Sequence, residues 1–130
     1  GDGLSDVDLT AALEFHQSHG RLATLTGVHP SSRFGELVRD GNKVVEFREK
    51  PRSRNDLVNG GFFFFEPEFL NYIDDDRDCM LEHDPLQRCA ADGELMVYEH
   101  FGFWQCMDTL RDWQVLHGLW ESGAAPWKIW

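Results

Sequence analysis

The sequence predicts an α/β fold with a mixed sheet, and three observations support this prediction. Segments with strand character alternate with helical segments along most of the 130 residues. An Asp-Gly-Asn turn at residues 40–42 separates two β-like runs and predicts an antiparallel hairpin. The phenylalanines at residues 62–65 are typical of a strand buried on both faces. We find no linker or internal repeat and therefore expect one domain over residues 1–130.

The first half of the chain predicts a helix followed by strands. Ser5 and Asp8 have the spacing of a capping box, and an apolar stripe follows them as far as Gly20, a typical helix stop. Residues 22–28 are expected to form a strand. The hairpin strands are then expected at residues 35–38 and 43–48, and another strand at residues 58–65.

The second half predicts helices opened by proline and capped by aspartate. The expected elements are a short helix from Pro67, a helix from Pro85 that ends at Gly93, strands at residues 95–99 and 103–107, and a helix at residues 109–120. Asp108 directly precedes the last helix, and we expect it to be the N-cap.

Charge and cysteine content exclude several classes of function. The net charge of −11, from 23 acidic and 12 basic residues, disfavours nucleic acid and anionic membranes as partners. Three cysteines without CxxC spacing predict reduced thiols, and hence a cytoplasmic protein rather than a disulfide or zinc scaffold. No apolar run is long enough to span a bilayer, and no signal peptide is visible.

The opening residues GDGLSDVD are rich in carboxylates. A calcium-binding EF-hand loop is excluded, because Leu4 and Val7 stand where that loop needs an acidic residue and a glycine. Asp6 and Asp8 are expected to stabilise the N-terminus of the first helix. Asp2 lies outside that cap between two glycines, which lets a ligand approach closely. We therefore treat Asp2 as a candidate metal ligand.

Asp108 is the second candidate metal ligand. It follows a predicted strand, and a carboxylate at a strand end can face a metal as well as cap a helix. Magnesium uses few protein carboxylates and takes its other ligands from water and phosphates. Asp2 and Asp108 together with a nucleoside triphosphate would satisfy that demand.

Two further stretches allow both an ordinary and a functional interpretation. In the first, Glu49 and Lys50 are either solvated surface residues or a pair that binds sugar hydroxyls and a phosphate. In the second, Asn59 and Gly60 lead into the phenylalanine-rich strand, where glycine marks either a bulge or the close approach of a ligand.

In combination, GDGLSDVD, RFGELV, KVVEFREKP, NGGFFFFEPE, GFWQCMDTLRD and APWKIW resemble the sugar-phosphate nucleotidyltransferases over the whole chain. The resemblance implies a Rossmann-like, GT-A-like mixed sheet and a magnesium-dependent enzyme. It is greatest to members that transfer a cytidylyl group from CTP to glucose 1-phosphate, giving CDP-glucose for nucleotide-sugar and O-antigen lipopolysaccharide synthesis. These enzymes are cytoplasmic and often homo-oligomeric, which we expect here.

The resemblance also implies roles for particular residues. Asp2 and Asp108 match the metal-binding aspartates, and Lys50 matches the lysine that aligns the sugar phosphate. The expected substrate-binding residues are Arg33, Gly35, Glu49, Lys50, Asn59 and Gly60. The glycine-rich nucleotide loop of the family has no counterpart in this sequence. We therefore expect the C-terminal half of such a domain, inactive by itself.

Other functions remain open from the sequence. A sugar-1-phosphate nucleotidyltransferase that uses dTTP or UTP fits the same residues. A metal-dependent glycosyltransferase would use an Asp-x-Asp motif, for which Asp74-Asp75-Asp76 is the candidate. A sugar-phosphate-binding polypeptide without catalysis is the third alternative.

Overall fold

The computed structural model describes residues 2–30, 36–48 and 57–130. It confirms the α/β class with a mixed sheet. The helices are α1 (Leu9–His19), α2 (Asp84–Ala91) and α3 (Leu110–Glu121), with a 3₁₀ helix at Pro67–Tyr72. The strands are β1 (Leu4–Ser5), β2 (Ala23–Val28), β3 (Glu36–Asp40), β4 (Lys43–Arg48), β5 (Val58–Asn59), β6 (Phe64–Phe65), β7 (Leu95–His100) and β8 (Trp104–Gln105).

Strand β2 is the centre of the main sheet. It pairs in parallel with β7 along its whole length, from Ala23 opposite Leu95 to Val28 opposite His100. The strands β5 and β6 pair with β2 in the antiparallel direction. Because β7 occupies one edge of β2, both of these short strands lie along the other edge.

The phenylalanine-rich segment is not the continuous buried strand that the sequence predicts. Gly27 pairs with Asn59 while Thr24 pairs with Phe64, so the segment between β5 and β6 bulges away from the ladder. Gly61 and Phe62 both have positive φ, at 77° and 52°. This conformation interrupts the strand, and Phe65 is 38% exposed.

Helix α1 ends as predicted but begins differently. Gly20 adopts the left-handed conformation at φ 67°, as expected of a C-terminal glycine. The N-cap is Asp8, whose carboxylate accepts the Ala11 N–H at 3.0 Å. Ser5 is not part of a capping box, because it lies in β1 and donates its hydroxyl to the Phe103 carbonyl at 2.7 Å.

A chain of polar side chains joins α1 to the sheet. His19 accepts the Arg21 N–H at Nδ1, 2.8 Å away, so its other nitrogen, Nε2, donates to Thr24 Oγ1 at 2.6 Å. The Thr24 hydroxyl in turn donates to Nδ1 of the buried His16 at 2.7 Å. His16 Nε2 then donates to Glu66 at 3.0 Å. In this series, each hydrogen bond determines which atom donates and which accepts in the next one.

The hairpin of β3 and β4 is confirmed, with Gly41 in its turn at φ 57°. The small core lies where α2 and the 3₁₀ helix pack together. Its buried residues are Ala23, Phe69, Leu86 and Cys89. Within residues 2–30, 36–48 and 57–130, no helix is both long and apolar enough to cross a bilayer.

Candidate functional site

The short pair of β1 and β8 brings Asp2 and Asp108 together. The two strands run antiparallel, with Leu4 opposite Gln105, so the residues before β1 and after β8 share one end of the pair. The Asp2 and Asp108 carboxyl groups are exposed and hydrogen-bonded to each other. The structure thus assembles the two predicted metal ligands from distant parts of the chain.

The electrostatics of this pair are those of two like charges at close range. The hydrogen bond from Asp2 raises the pKa of Asp108 above its ordinary value of 3.8, because a bond between two carboxyl groups needs one shared proton. A hydrogen bond with Cys106 acts in the opposite direction, and the negative charge of Asp2 raises the pKa further. A cation bound between the two groups would relieve this repulsion.

The backbone at Asp108 is held by Asp112, which lies in the first turn of α3. Asp112 is only 6% exposed. One of its carboxylate oxygens accepts the backbone N–H groups of Asp108 and Thr109, both at 3.1 Å, and the other accepts from Gln105 at 3.1 Å. Asp112 thereby joins the end of β8 to the start of the helix.

The predicted cap of α3 is wrong by one residue. Thr109 is the N-cap and forms a capping box with Asp112, in which each side chain accepts the other's backbone N–H. Asp108 stands one position earlier and makes no cap. Its carboxylate is therefore free of the helix terminus and faces Asp2 instead.

Asp6 does not stabilise the helix N-terminus either. Its carboxylate accepts the Phe103 N–H at 2.7 Å and bonds His100 Nε2 at 2.9 Å. Asp6 therefore fastens the end of β1 to the turn between β7 and β8. The three aspartates of the opening segment have three different roles: Asp2 faces Asp108, Asp6 joins β1 to that turn, and Asp8 caps α1.

Asn59 and Gly60 lie beside this region, on the edge of β2. The Asn59 side chain donates to Glu82 at 3.1 Å and accepts the Gly61 N–H at 2.9 Å. Gly60 is buried, and a Cβ placed there would lie 2.6 Å from Val28 Cγ1. The glycine therefore serves a bulge that packs against the sheet, and a substrate contact of Asn59 and Gly60 stays a prediction.

Three residues of this region were missed by sequence reasoning: Trp104, Cys106 and Asp112. Trp104 donates its indole N–H to the Gly60 carbonyl at 3.0 Å. For Asp112 a signal was available, since Thr109 and Asp112 have capping-box spacing. The other predicted site residues, Arg33, Gly35, Glu49 and Lys50, lie outside the described residues.

The donor set at Asp2 and Asp108 fits a magnesium ion that takes most of its ligands from elsewhere. Both groups are carboxylates, the ligands that this hard cation prefers. In the part of the chain that the structure describes, no cluster of three or more His, Cys, Asp or Glu side chains could hold a metal ion. Water and substrate phosphates would therefore complete the coordination.

Comparison with known proteins identifies the family to which this chain belongs. Residues 1–114 match the family described as Nucleotidyl transferase, which is most of the chain. This chain belongs to that nucleotidyltransferase family, as the combination of motifs predicted.

Individual relatives show which nucleotidyltransferases this chain is similar to. The chain is 49% identical over all its 130 residues to the glucose-1-phosphate cytidylyltransferase of Salmonella typhi, of which it covers 50%. It is 33% identical over 129 residues to the UTP–glucose-1-phosphate uridylyltransferase of a Synechocystis strain. The chain spans about half the length of the cytidylyltransferases that it matches, 50% in Salmonella typhi and 51% in Bacillus subtilis.

A solved structure supports the fold independently. A Bacillus anthracis protein, named provisionally as a glucose-1-phosphate thymidylyltransferase, superposes with a TM-score of 0.60 at 18% identity. The match covers 91% of this chain and 51% of the other. At this level of identity the likeness shows the fold alone.

Proposed function

We propose that this chain supplies the metal-binding and sugar-phosphate-binding half of a magnesium-dependent glucose-1-phosphate cytidylyltransferase. The observation that carries the proposal is the Asp2–Asp108 pair, assembled on the end of β1 and β8. The 49% identity to a relative with that name supports the choice of substrates.

The proposed reaction is a direct transfer of the cytidylyl group from CTP to glucose 1-phosphate. A phosphate oxygen of glucose 1-phosphate attacks the α-phosphorus of CTP, a new P–O bond forms, and the bond to the β-phosphate breaks. The products are CDP-glucose and pyrophosphate. Catalysis of this kind depends on positioning and charge stabilisation, and no covalent enzyme intermediate is needed.

The residues of this chain have separate tasks in that reaction. Asp2 and Asp108 would hold Mg²⁺, which supplies positive charge to the reacting phosphates. By resemblance, Lys50 aligns the attacking phosphate, while Arg33, Gly35, Glu49, Asn59 and Gly60 line the sugar-phosphate site. The base and triphosphate would be bound mainly by residues that have no counterpart in this sequence.

Binding to the chain alone gives the first test. We expect NMR titration of the 130-residue chain with MgCl₂ to shift the amide signals next to Asp2 and Asp108. Asp108→Asn should abolish these shifts, whereas Asp75→Asn, in an exposed turn, should leave them unchanged. Shifts that survive Asp108→Asn would contradict the metal site.

Activity is tested in a chimera. This chain replaces the matching half of the Salmonella typhi relative, and pyrophosphate release is measured with glucose 1-phosphate and CTP, dTTP or UTP. We expect turnover with CTP, and a fall of about 10² or more on Asp108→Asn, since a key electrostatic contact is lost.

The Synechocystis relative favours a second candidate, a nucleotidyltransferase that uses another pyrimidine nucleotide. Turnover by the chimera that is faster with UTP or dTTP than with CTP would support it. A chimera that binds glucose 1-phosphate without turning over would identify the chain as a binding polypeptide.

We also propose a cytoplasmic location and a homo-oligomeric whole enzyme. Cys79, Cys89 and Cys106 are thiols rather than disulfides in the structure, which suits a reducing compartment. Light scattering of the chimera and of its parent relative would test the assembly. A monomeric mass for the chimera beside an oligomeric parent would contradict the proposal.

A further inference from the structure

Trp104 connects the aspartate pair to the segment around Gly60. It lies in β8, opposite Ser5 of β1, and is half-buried. Its indole N–H donates to the Gly60 carbonyl at 3.0 Å. A single side chain thus reaches from the strand pair that carries Asp2 and Asp108 to the edge of the main sheet.

The indole of Trp104 also packs against Gly3. A Cβ placed on Gly3 would lie 3.1 Å from Nε1 of Trp104 and 3.5 Å from Cε2. The ring therefore packs against the Gly3 backbone at a distance that a side chain would disturb. Because Gly3 directly follows Asp2, the ring supports the backbone that carries one of the two carboxylates.

The Gly60 carbonyl is available to the indole because of the bulge. The Gly60 N–H donates to Thr26 of β2 at 2.9 Å, and the Gly61 carbonyl accepts the Thr26 N–H at 3.2 Å. These two bonds hold the segment on the sheet, while the carbonyl between them bonds Trp104. The indole thereby restrains the peptide that follows Asn59.

We propose that Trp104 is a positioning residue that sets the separation between the Asp2–Asp108 metal site and the Asn59–Gly60 part of the sugar-phosphate site. This inference rests on the proposed function and adds a residue to it. Trp104 acts through two contacts, the packing of its indole against Gly3 and the N–H bond to the Gly60 carbonyl.

Two variants of Trp104 remove these contacts to different extents. Trp104→Phe keeps an aromatic ring in β8 but loses Nε1, so it cannot donate a hydrogen bond to Gly60. Trp104→Ala removes both contacts. Trp113→Phe is the matched control, because Trp113 is exposed on α3 and stacks on His117 of the same helix.

The test is an NMR titration of the 130-residue chain and these variants with MgCl₂ and, separately, with glucose 1-phosphate. We expect Trp104→Phe to weaken glucose 1-phosphate binding about 3- to 10-fold, the value of one hydrogen bond, and to leave Mg²⁺ affinity within about twofold. Trp104→Ala should weaken both, and Trp113→Phe neither.

The possible failures can be told apart. If the unmodified chain binds glucose 1-phosphate and Trp104→Phe binds it equally well, the inference is wrong and the proposed function stands. If Trp104→Phe weakens both ligands equally and also lowers the melting temperature, Trp104 has a structural role only, which also overturns the inference. An unmodified chain that binds neither ligand would overturn the proposed function and the inference together.

Discussion

The carboxylate of Asp112 accepts the backbone N–H of Asp108 at 3.1 Å, so a buried side chain in α3 determines where an exposed carboxylate stands. Outer groups of this kind commonly control the affinity of a metal site although they never touch the metal. Asp112 therefore links the stability of the helix N-terminus to the geometry of the candidate site.

Asp112→Asn should weaken both the fold and cation binding. The amide nitrogen would face an N–H donor from either Asp108 or Gln105, which costs about 1–3 kcal/mol of the free energy of unfolding. Mg²⁺ affinity, measured by NMR titration, should fall about tenfold or more.

Thr109→Ala is the matched control for that variant. It removes the hydroxyl that accepts the Asp112 N–H, and so costs about 1 kcal/mol of stability. It leaves the bond between Asp112 and the Asp108 backbone in place, and Mg²⁺ affinity should not change. Equal losses of Mg²⁺ affinity in the two variants would show that helix stability alone controls the site.

The raised pKa of Asp108 gives a prediction for the carboxyl group itself. In metal-free buffer, a ¹³C-detected titration should give Asp108 a pKa above 3.8, because of the hydrogen bond with Asp2. Asp2→Asn removes the neighbouring charge and should lower the pKa of Asp108 towards that value. Addition of Mg²⁺ to the unmodified chain should also lower it, since the cation favours the ionised form. A pKa of Asp108 that Asp2→Asn leaves unchanged would show that the two groups do not interact in solution.

His19 predicts a loss of stability in acid. Burial lowers the pKa of His19 below its ordinary value of 6.5, with contributions from His16 and Arg21 that outrank the opposing ones from Glu66 and Glu94. A protonated His19 would also direct a second N–H at the Arg21 N–H that it now accepts. Because the unfolded chain then binds the proton more tightly, the contribution of His19 to stability is complete above pH 6.5 and decreases as the pH falls below it.

Urea unfolding at several pH values measures this effect. The free energy of unfolding should rise with pH towards 6.5, the ordinary value for His19, and His19→Gln should reduce that slope. His117→Gln is the control, because His117 is an exposed residue of α3 that pairs with Glu121. If His117→Gln reduced the slope as much as His19→Gln, the assignment to His19 would fail.

Gly60→Ala should destabilise the sheet by overpacking. Its Cβ would lie 2.6 Å from Val28 Cγ1 and 3.1 Å from the Thr26 carbonyl, and Val28 is only 1% exposed. Such crowding costs about 1–3 kcal/mol, which thermal or urea unfolding would detect.

Two further variants test the cause of that loss. Gly118→Ala, in α3 with open space around it, should instead stabilise the chain by about 0.5–1 kcal/mol. Val28→Ala combined with Gly60→Ala should cost less than the sum of the single changes. Strict additivity would mean that Val28 is not the group that Gly60→Ala displaces.

The partnership of Asp2 with Asp108 could be predicted from the sequence, since Asp2 lies outside the predicted cap of α1 and Asp108 follows a predicted strand. The break in the phenylalanine-rich strand could not be predicted from the sequence. Residues 62–65 favour a strand locally, and only the bond pattern of Thr26 with Gly60 and Gly61 shows that the backbone turns away. A positive φ at Phe62 is rare for such a residue and has no local sequence signal.

The separate roles of Ser5, Asp6 and Asp8 could not be predicted from the local sequence either. All three suit a helix N-terminus by residue type, and a local rule cannot choose among them. The choice depends on Phe103, which bonds both Ser5 and Asp6 from far along the chain. Tertiary contacts therefore assigned the first two residues to strand pairing and left the cap to Asp8.

The pairing of β1 with β8 has a consequence for biosynthesis. On a ribosome, residues near Asp2 emerge long before the partner strand at Trp104–Gln105 has been translated. Until then the first carboxylate has no counterpart, and a nascent chain should show no selective affinity for a divalent cation. Contacts so distant in sequence also form slowly. The candidate metal site should therefore be the last part of this chain to mature, and the appearance of cation binding would mark a completed fold.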